Sequence, residues 1–234
     1  MPATALLFGS IGTILETSEM QRTAFNRAFQ SVGLNWNWDE SFYRSQLGRS
    51  GGRRRIESYA KLNGETVDSA EVHRLKTVHF GEALATGDHE PRPGVIQILK
   101  HAREQGMKTG FVTSTSQENV DAVFKALGNT LTRNDFDFVG TSDKVANSKP
   151  HPDIYLKALE ELGVDAGNAV AIEDSKPSLT AANAAEIACI AFPSANTGDQ
   201  DFRSAAMVTE ILHPDQIDSI LKASRASISE DFAV

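Results

Sequence analysis

The chain of 234 residues has one cysteine, few aromatics and a deficit of basic residues. Each shortage closes off a class of protein. A lone Cys189 forms no internal disulfide. It lies in the apolar run Ile187-Ala188-Cys189-Ile190-Ala191, which reads as a buried structural thiol. Lys and Arg number 23 against 31 Asp and Glu, a net charge of -8, which argues against a nucleic-acid partner. No apolar run approaches the roughly 20 residues of a membrane span. No basic, apolar leader of signal-peptide type stands at the N-terminus. These absences lead to the expectation of a cytoplasmic protein with no membrane and no nucleic-acid partner. One more absence is local. The apolar run Ala5-Leu6-Leu7-Phe8 breaks into Gly9-Ser10-Ile11-Gly12-Thr13, a tight turn with no carboxylate, Cys or His.

What is present is an ordinary globular composition, 40% hydrophobic and 23% charged. Short apolar strands alternate with patterned helices. Strands are expected at Ala5 to Phe8, Lys108 to Val112, Phe136 to Val139, Ala169 to Ile172, Ile187 to Ala191 and Ala206 to Val208. Helices are expected at 95–104, 118–127, 152–162 and 178–185. This order predicts an α/β fold, a Rossmann-like doubly wound parallel sheet covered on both faces. Ligands of such sheets bind beyond the carboxyl ends of the strands. Residues 18–88 break the alternation and read as helices only, at 19–32, 39–47, 53–62 and 69–85. They are expected to form an inserted helical cap on a core of 1–17 plus 89–234. The stretch Gly87 to Gly94 would be the hinge, with Pro93 in the first turn of the next helix. The tail from Ser224 to Val234 is expected to be frayed or loosely docked.

Four segments could carry chemistry. Thr113-Ser114-Thr115-Ser116 follows a strand, where hydroxyls and free N–H groups make an anion site or a plain N-cap. Ser148-Lys149-Pro150-His151-Pro152 holds Lys149 on a stiff loop. Glu173-Asp174-Ser175 places two acids at a strand end, suited to a hard metal or to capping. Gly51-Gly52-Arg53-Arg54-Arg55-Ile56 opens a helix with three arginines against its macrodipole, which points Arg53 and Arg55 toward an anion and Arg54 toward solvent.

In this order the segments resemble the haloacid dehalogenase superfamily, in its CbbY-like and β-phosphoglucomutase-like branch. The Gly-Gly-basic-x-Arg-Ile signature at Gly51 to Ile56 points to that branch. Glu16-Thr17 before the cap and Arg92-Pro93-Gly94 after it fit as well. The resemblance implies a HAD-like fold, a sugar-phosphate ligand, and Mg²⁺ held partly by Glu173 and Asp174. It implies phosphate binding by Thr113, Ser114 and Lys149, and substrate or cap roles for Glu16, Arg53 and Arg55. In the family the first strand ends Asp-x-Asp-Gly-Thr, a nucleophile and an acid/base. The register set by Gly12-Thr13 puts Gly9 and Ile11 at those positions. Gln21, Ser178 and Glu186 also depart from the family pattern.

No catalytic residue is therefore expected, and Mg²⁺ binding is expected to be weak or absent. Lys149 should pair internally with Glu173 or Asp174. Ser10 should face away from the phosphate, because neighbouring side chains alternate on a strand. Three readings follow: a pseudoenzyme that binds a phosphorylated metabolite, a weak phosphatase using a displaced carboxylate, or a protein-interaction module with an apolar cap entrance and no identified partner.

Overall fold

The computed structural model describes residues 2–48 and 51–231. Met1, Arg49 and Ser50 just before the cap signature, and tail residues 232–234, lie outside the described residues.

Six parallel strands form one sheet in the order β3-β2-β1-β4-β5-β6. They are β1 (Ala5–Phe8), β2 (Lys108–Val112), β3 (Phe138–Gly140), β4 (Ala169–Glu173), β5 (Ala188–Ala191) and β6 (Met207–Val208). Central β1 is buried along its length, with Phe8 in register with Phe111 on one side and Ile172 on the other. Side chains alternate across the sheet as a strand requires. Leu6, Phe8, Val170 and Ile172 enter one core, and Ala5, Leu7, Ala169 and Ala171 enter the other. Two covered faces explain why the strands read as unbroken apolar runs. Cys189 is buried in the second core, and burial pushes its thiol well up.

The chain after Phe8 is not extended. Ser10 caps a short helix α1 (Ile11–Ile14) by accepting from the Thr13 backbone N–H. Four helices follow: α2 (Ser18–Ser31), α3 (Glu40–Gln46), α4 (Gly52–Asn63) and α5 (Ser69–Ala85). They share an aromatic core of Phe25, Phe29, Trp36, Trp38 and Tyr43. Arg92 is the return point to the sheet. Its backbone N–H donates to the Ile14 carbonyl, and its guanidinium donates to the carbonyls of Gly12, Phe192 and Pro193 at 2.8 Å each. The same guanidinium lies over the Phe192 ring at 3.5 Å.

The remaining helices are α6 (Val95–Glu104), α7 (Gln117–Leu127), α8 (Asp153–Leu162), α9 (Lys176–Ala184) and α10 (Pro214–Asp231). Four expectations shift. Gly94 is the N-cap of α6, which leaves Pro93 outside the helix. Phe136 lies before β3 and packs edge-on to Phe8 instead of pairing. Helix α9 starts at Lys176, with Pro177 in its first turn. The tail begins inside a helix, because α10 runs to Asp231, and the part of α10 that docks on the core is Ile217, Ile220 and Leu221. Among the described residues no helix is long and apolar enough to cross a membrane.

Just beyond α9, exposed Glu186 takes a left-handed conformation with φ 59. Its N–H bonds to Asn183, and that of Ile187 bonds to Ala182. Glycine favours this position after a helix, whereas a side chain there is strained. Glu186→Gly is expected to stabilise the protein by about 1 kcal/mol, raising Tm by about 2–4 °C. Thermal unfolding of the two proteins checks this, and an unchanged or lower Tm refutes it.

Candidate functional site

The carboxyl ends of the central strands open into a cavity of about 310 Å³ between sheet and cap. Ser10, Ile11, Gly12, Thr113, Ser114 and Asp174 line it from the core. Gln21, Phe25, Arg53, Arg55, His73 and Lys76 line it from α2, α4 and α5. The Ser114 hydroxyl and the Asn119 carbonyl oxygen are buried here without a hydrogen-bond partner. Thr113 Oγ1 accepts from the Thr115 N–H at 3.2 Å.

The two acids at the end of β4 part company. Glu173 points under the floor and is fully buried. It accepts from Lys149 Nζ at 2.6 Å and from the Tyr155 hydroxyl at 2.5 Å, both on Oε1. Lys149 also donates to the Val112 carbonyl at 2.8 Å and to the Gly9 carbonyl. Those three acceptors use all three N–H donors of an ammonium. The expected ion pair thus forms with Glu173. Lys149 lies beneath the cavity and does not line it, so its expected direct contact with phosphate is not part of this arrangement. Burial raises the Glu173 carboxyl to about 7, helped by Asp174 and opposed by Lys149.

Gly9 is the room into which Glu173 turns. A Cβ on Gly9 would lie 2.0 Å from Glu173 Oε1. Asp174 uses the second glycine in the same way, since a Cβ on Gly12 would lie 1.8 Å from its Oδ2. Asp174 stays on the cavity wall and accepts from the Ser10 hydroxyl at 2.8 Å. Burial raises its carboxyl, against the Ser10 hydrogen bond and the charges of Arg92 and Lys149. Ser10 therefore faces the site, contrary to the strand-alternation expectation. The strand ends at Phe8, and a helix cap has no two-residue alternation. Among the described residues no three His, Cys, Asp or Glu side chains cluster to hold a metal.

The cap side is basic. Arg53 pairs with Glu57 at 3.0 Å. Arg55 donates to the Gln46 carbonyl at 3.1 Å and sits 5.9 Å from the Tyr43 ring centre. Glu16 is exposed at the hinge, where it accepts from the Ser18 N–H, and is not a wall residue. The expected set thus meets only in part: Thr113, Ser114, Asp174, Arg53 and Arg55 share the cavity, while Lys149, Glu173 and Glu16 do not.

Lys76 is the residue that the sequence reading missed. It is buried between the Phe25 and Phe80 rings and donates to Gln21 Oε1 at 2.7 Å. Burial, with the nearby Arg55 charge, lowers it to about 7. Its signal was legible, because Val72, Lys76, Phe80 and Leu84 recur every four residues on the buried face of α5.

Residues 11–192 match the haloacid dehalogenase-like hydrolase family. Protein CbbY of Cereibacter sphaeroides is 38% identical over 204 residues, 86% of this chain and 89% of that protein. Protein CbbY of Rhodobacter capsulatus is 35% identical over 208 residues, 88% of this chain and 92% of that one. The crystal structure of CbbY from Rhodobacter sphaeroides in complex with phosphate has a TM-score of 0.83 at 36% identity, covering 89% of this chain and 94% of that chain. A mutant of the same protein, with the same scores, is in complex with xylulose-(1,5)bisphosphate. A β-phosphoglucomutase from Clostridium difficile, at 21% identity and a TM-score of 0.80, shares the fold. The matched stretch takes in the cap, the Thr113 turn, the Lys149 loop and the paired acids at the end of β4, and on that ground the chain belongs to the haloacid dehalogenase-like hydrolase family.

Proposed function

We propose that this protein binds a phosphorylated metabolite of sugar-phosphate type in the strand-tip cavity and turns it over poorly or not at all. The observation that carries the reading is Glu173 turned into the space that a Gly9 side chain would need. By family resemblance that space belongs to the attacking carboxylate. Its present occupant is locked to Lys149 and Tyr155 below the floor. Ile11, at the acid/base position, has no titratable atom and is buried in the core. Phosphoryl recognition falls to Ser10, Thr113 and Ser114 from the core and to Arg53, Arg55 and Lys76 from the cap. The sugar-phosphate class is supported by the CbbY relatives solved with phosphate and with xylulose-(1,5)bisphosphate. An interaction module with an apolar entrance is not favoured. The exposed cap residues Val32, Leu62 and Val78 stand outside the cavity.

Without a phosphate ligand the residues present are a poor fit for the family's Mg²⁺. Glu173 is committed to an ammonium, and among the described residues Asp174 is the one carboxylate on the cavity wall. A small hard cation that sheds water reluctantly would then depend on the ligand's own phosphate oxygens.

One observation favours a second reading, a weak phosphatase. The Ser10 hydroxyl touches the Asp174 carboxylate at 2.8 Å, the arrangement of a nucleophile beside a base. Its competing role as the α1 cap makes this the lesser reading.

Three outcomes are expected. Assayed with Mg²⁺ against sugar phosphates, the parent should be near background and Gly9→Asp/Ile11→Asp should gain at least about 10³-fold, since nucleophile and base act as a unit. Robust parent turnover would end the first reading, and turnover that survives in Ser10→Ala would end the second. In urea unfolding, Lys149→Met should cost about 3–5 kcal/mol, and Lys149→Met/Glu173→Gln should recover much of that. Purely additive losses would mean that the pair is not coupled. Sugar-phosphate affinity should weaken as pH rises through about 7, because Lys76 is lowered to about 7 and is cationic only below it. Lys76→Met should flatten that profile between pH 6.5 and 8.5, where the phosphate is already dianionic.

A further inference from the structure

We propose that the crevice between α4 of the cap and α9 of the core is a second anion site, built for a phosphoryl or polyphosphoryl group. The crevice has a volume of about 490 Å³. Arg54 and Arg55 line it from the cap and Lys176 from the core, and among the described residues no acidic side chain is in its wall. In a chain of net charge -8 such a wall is the reverse of the average surface. It is separate from the strand-tip cavity, with which it shares only Arg55. Lys149 contributes to its lining, but that ammonium is already spent on Glu173 and two carbonyls.

Arg54 and Lys176 are the two cations of the wall that no ion pair among the described residues occupies. Arg53, one residue earlier, is neutralised by Glu57. Among the described residues no carboxylate forms an ion pair with Arg54 or with Lys176. Asp201, which feels the Lys176 charge, is gripped by Arg203 at 2.9 and 3.0 Å. Arg54 and Lys176 also stand in the first turns of their helices, neither of which carries an acid there. Each cation thus opposes its own helix dipole, and an anion between them meets both dipoles favourably. An occupant would touch cap and core together and so tie one to the other. Arg55, in both walls, would link occupancy of this site to that of the first. The proposal does not rest on the reading of the strand-tip cavity.

The test is calorimetric titration with sodium pyrophosphate at low salt. Arg54→Ser/Lys176→Ser should weaken binding at least about tenfold, as expected when two charge-assisted contacts are lost. Lys125→Ser/Arg133→Ser, which changes net charge equally at exposed positions elsewhere, should stay within about twofold, the effect of bulk charge alone. Arg54→Lys/Lys176→Arg should retain binding, which separates a site from a folding defect. Thr113→Val/Ser114→Ala, in the other cavity, should leave the crevice component in place. Equal affinity in the crevice and control variants overturns the proposal. So does loss of all pyrophosphate binding in Thr113→Val/Ser114→Ala.

Discussion

A lysine ammonium buried to 1% exposure needs a counter-charge inside the fold, and for Lys149 that charge is Glu173. The pair is not isolated. It draws the Tyr155 hydroxyl and the carbonyls of Gly9 and Val112 into one hydrogen-bonded knot at the tips of β1, β2 and β4. Leaving either charge alone would cost several kcal/mol, a large share of what holds a domain together. A chain with no carboxylate at position 9 therefore had to supply one from elsewhere. The free volume at Gly9 lets β4 do so.

That substitution divides two adjacent acids. Glu173 becomes structural, and Asp174 keeps the cavity with Ser10 as partner. The floor is then electrically settled before any ligand arrives. Besides Asp174, the cavity wall then offers hydroxyls from the core and positive charge from the cap. On the proposed reading, the site would recognise its ligand with hydroxyls from the core and with charge drawn mainly from the cap.

Much of the fold was legible because it depends on local patterns. Unbroken apolar runs at Ala5 to Phe8 and Ala169 to Ile172 mark strands buried on two faces, and the helices of 18–85 follow from apolar spacing. The pairing of Lys149 with an acid at the end of β4 was legible because the family resemblance put the two at one site and charge balance did the rest. Ser10 was not, because strand alternation was carried two residues past the end of the strand. Lys76 was hidden by its type, since a lysine on a helix is usually solvated, although its four-residue spacing from Val72 and Phe80 marked a buried face. Arg54 reads as solvated for the same reason. Its partner across the crevice, Lys176, is more than a hundred residues away, where no local pattern can reach.

Arg92 bears on how such a protein could open. Its guanidinium holds carbonyls from the α1 turn and from the end of β5, while its own N–H holds Ile14. Both chain crossings between sheet and cap are thereby riveted together on the sheet side. Any pivot lies outward of that rivet, in the few residues between Leu15 and Ser18 and between Thr86 and Pro91. If residues 18–88 act as a movable cap, such a pivot would let it swing without disturbing the strand tips, and the core end of the cavity would keep its shape whether the lid is up or down.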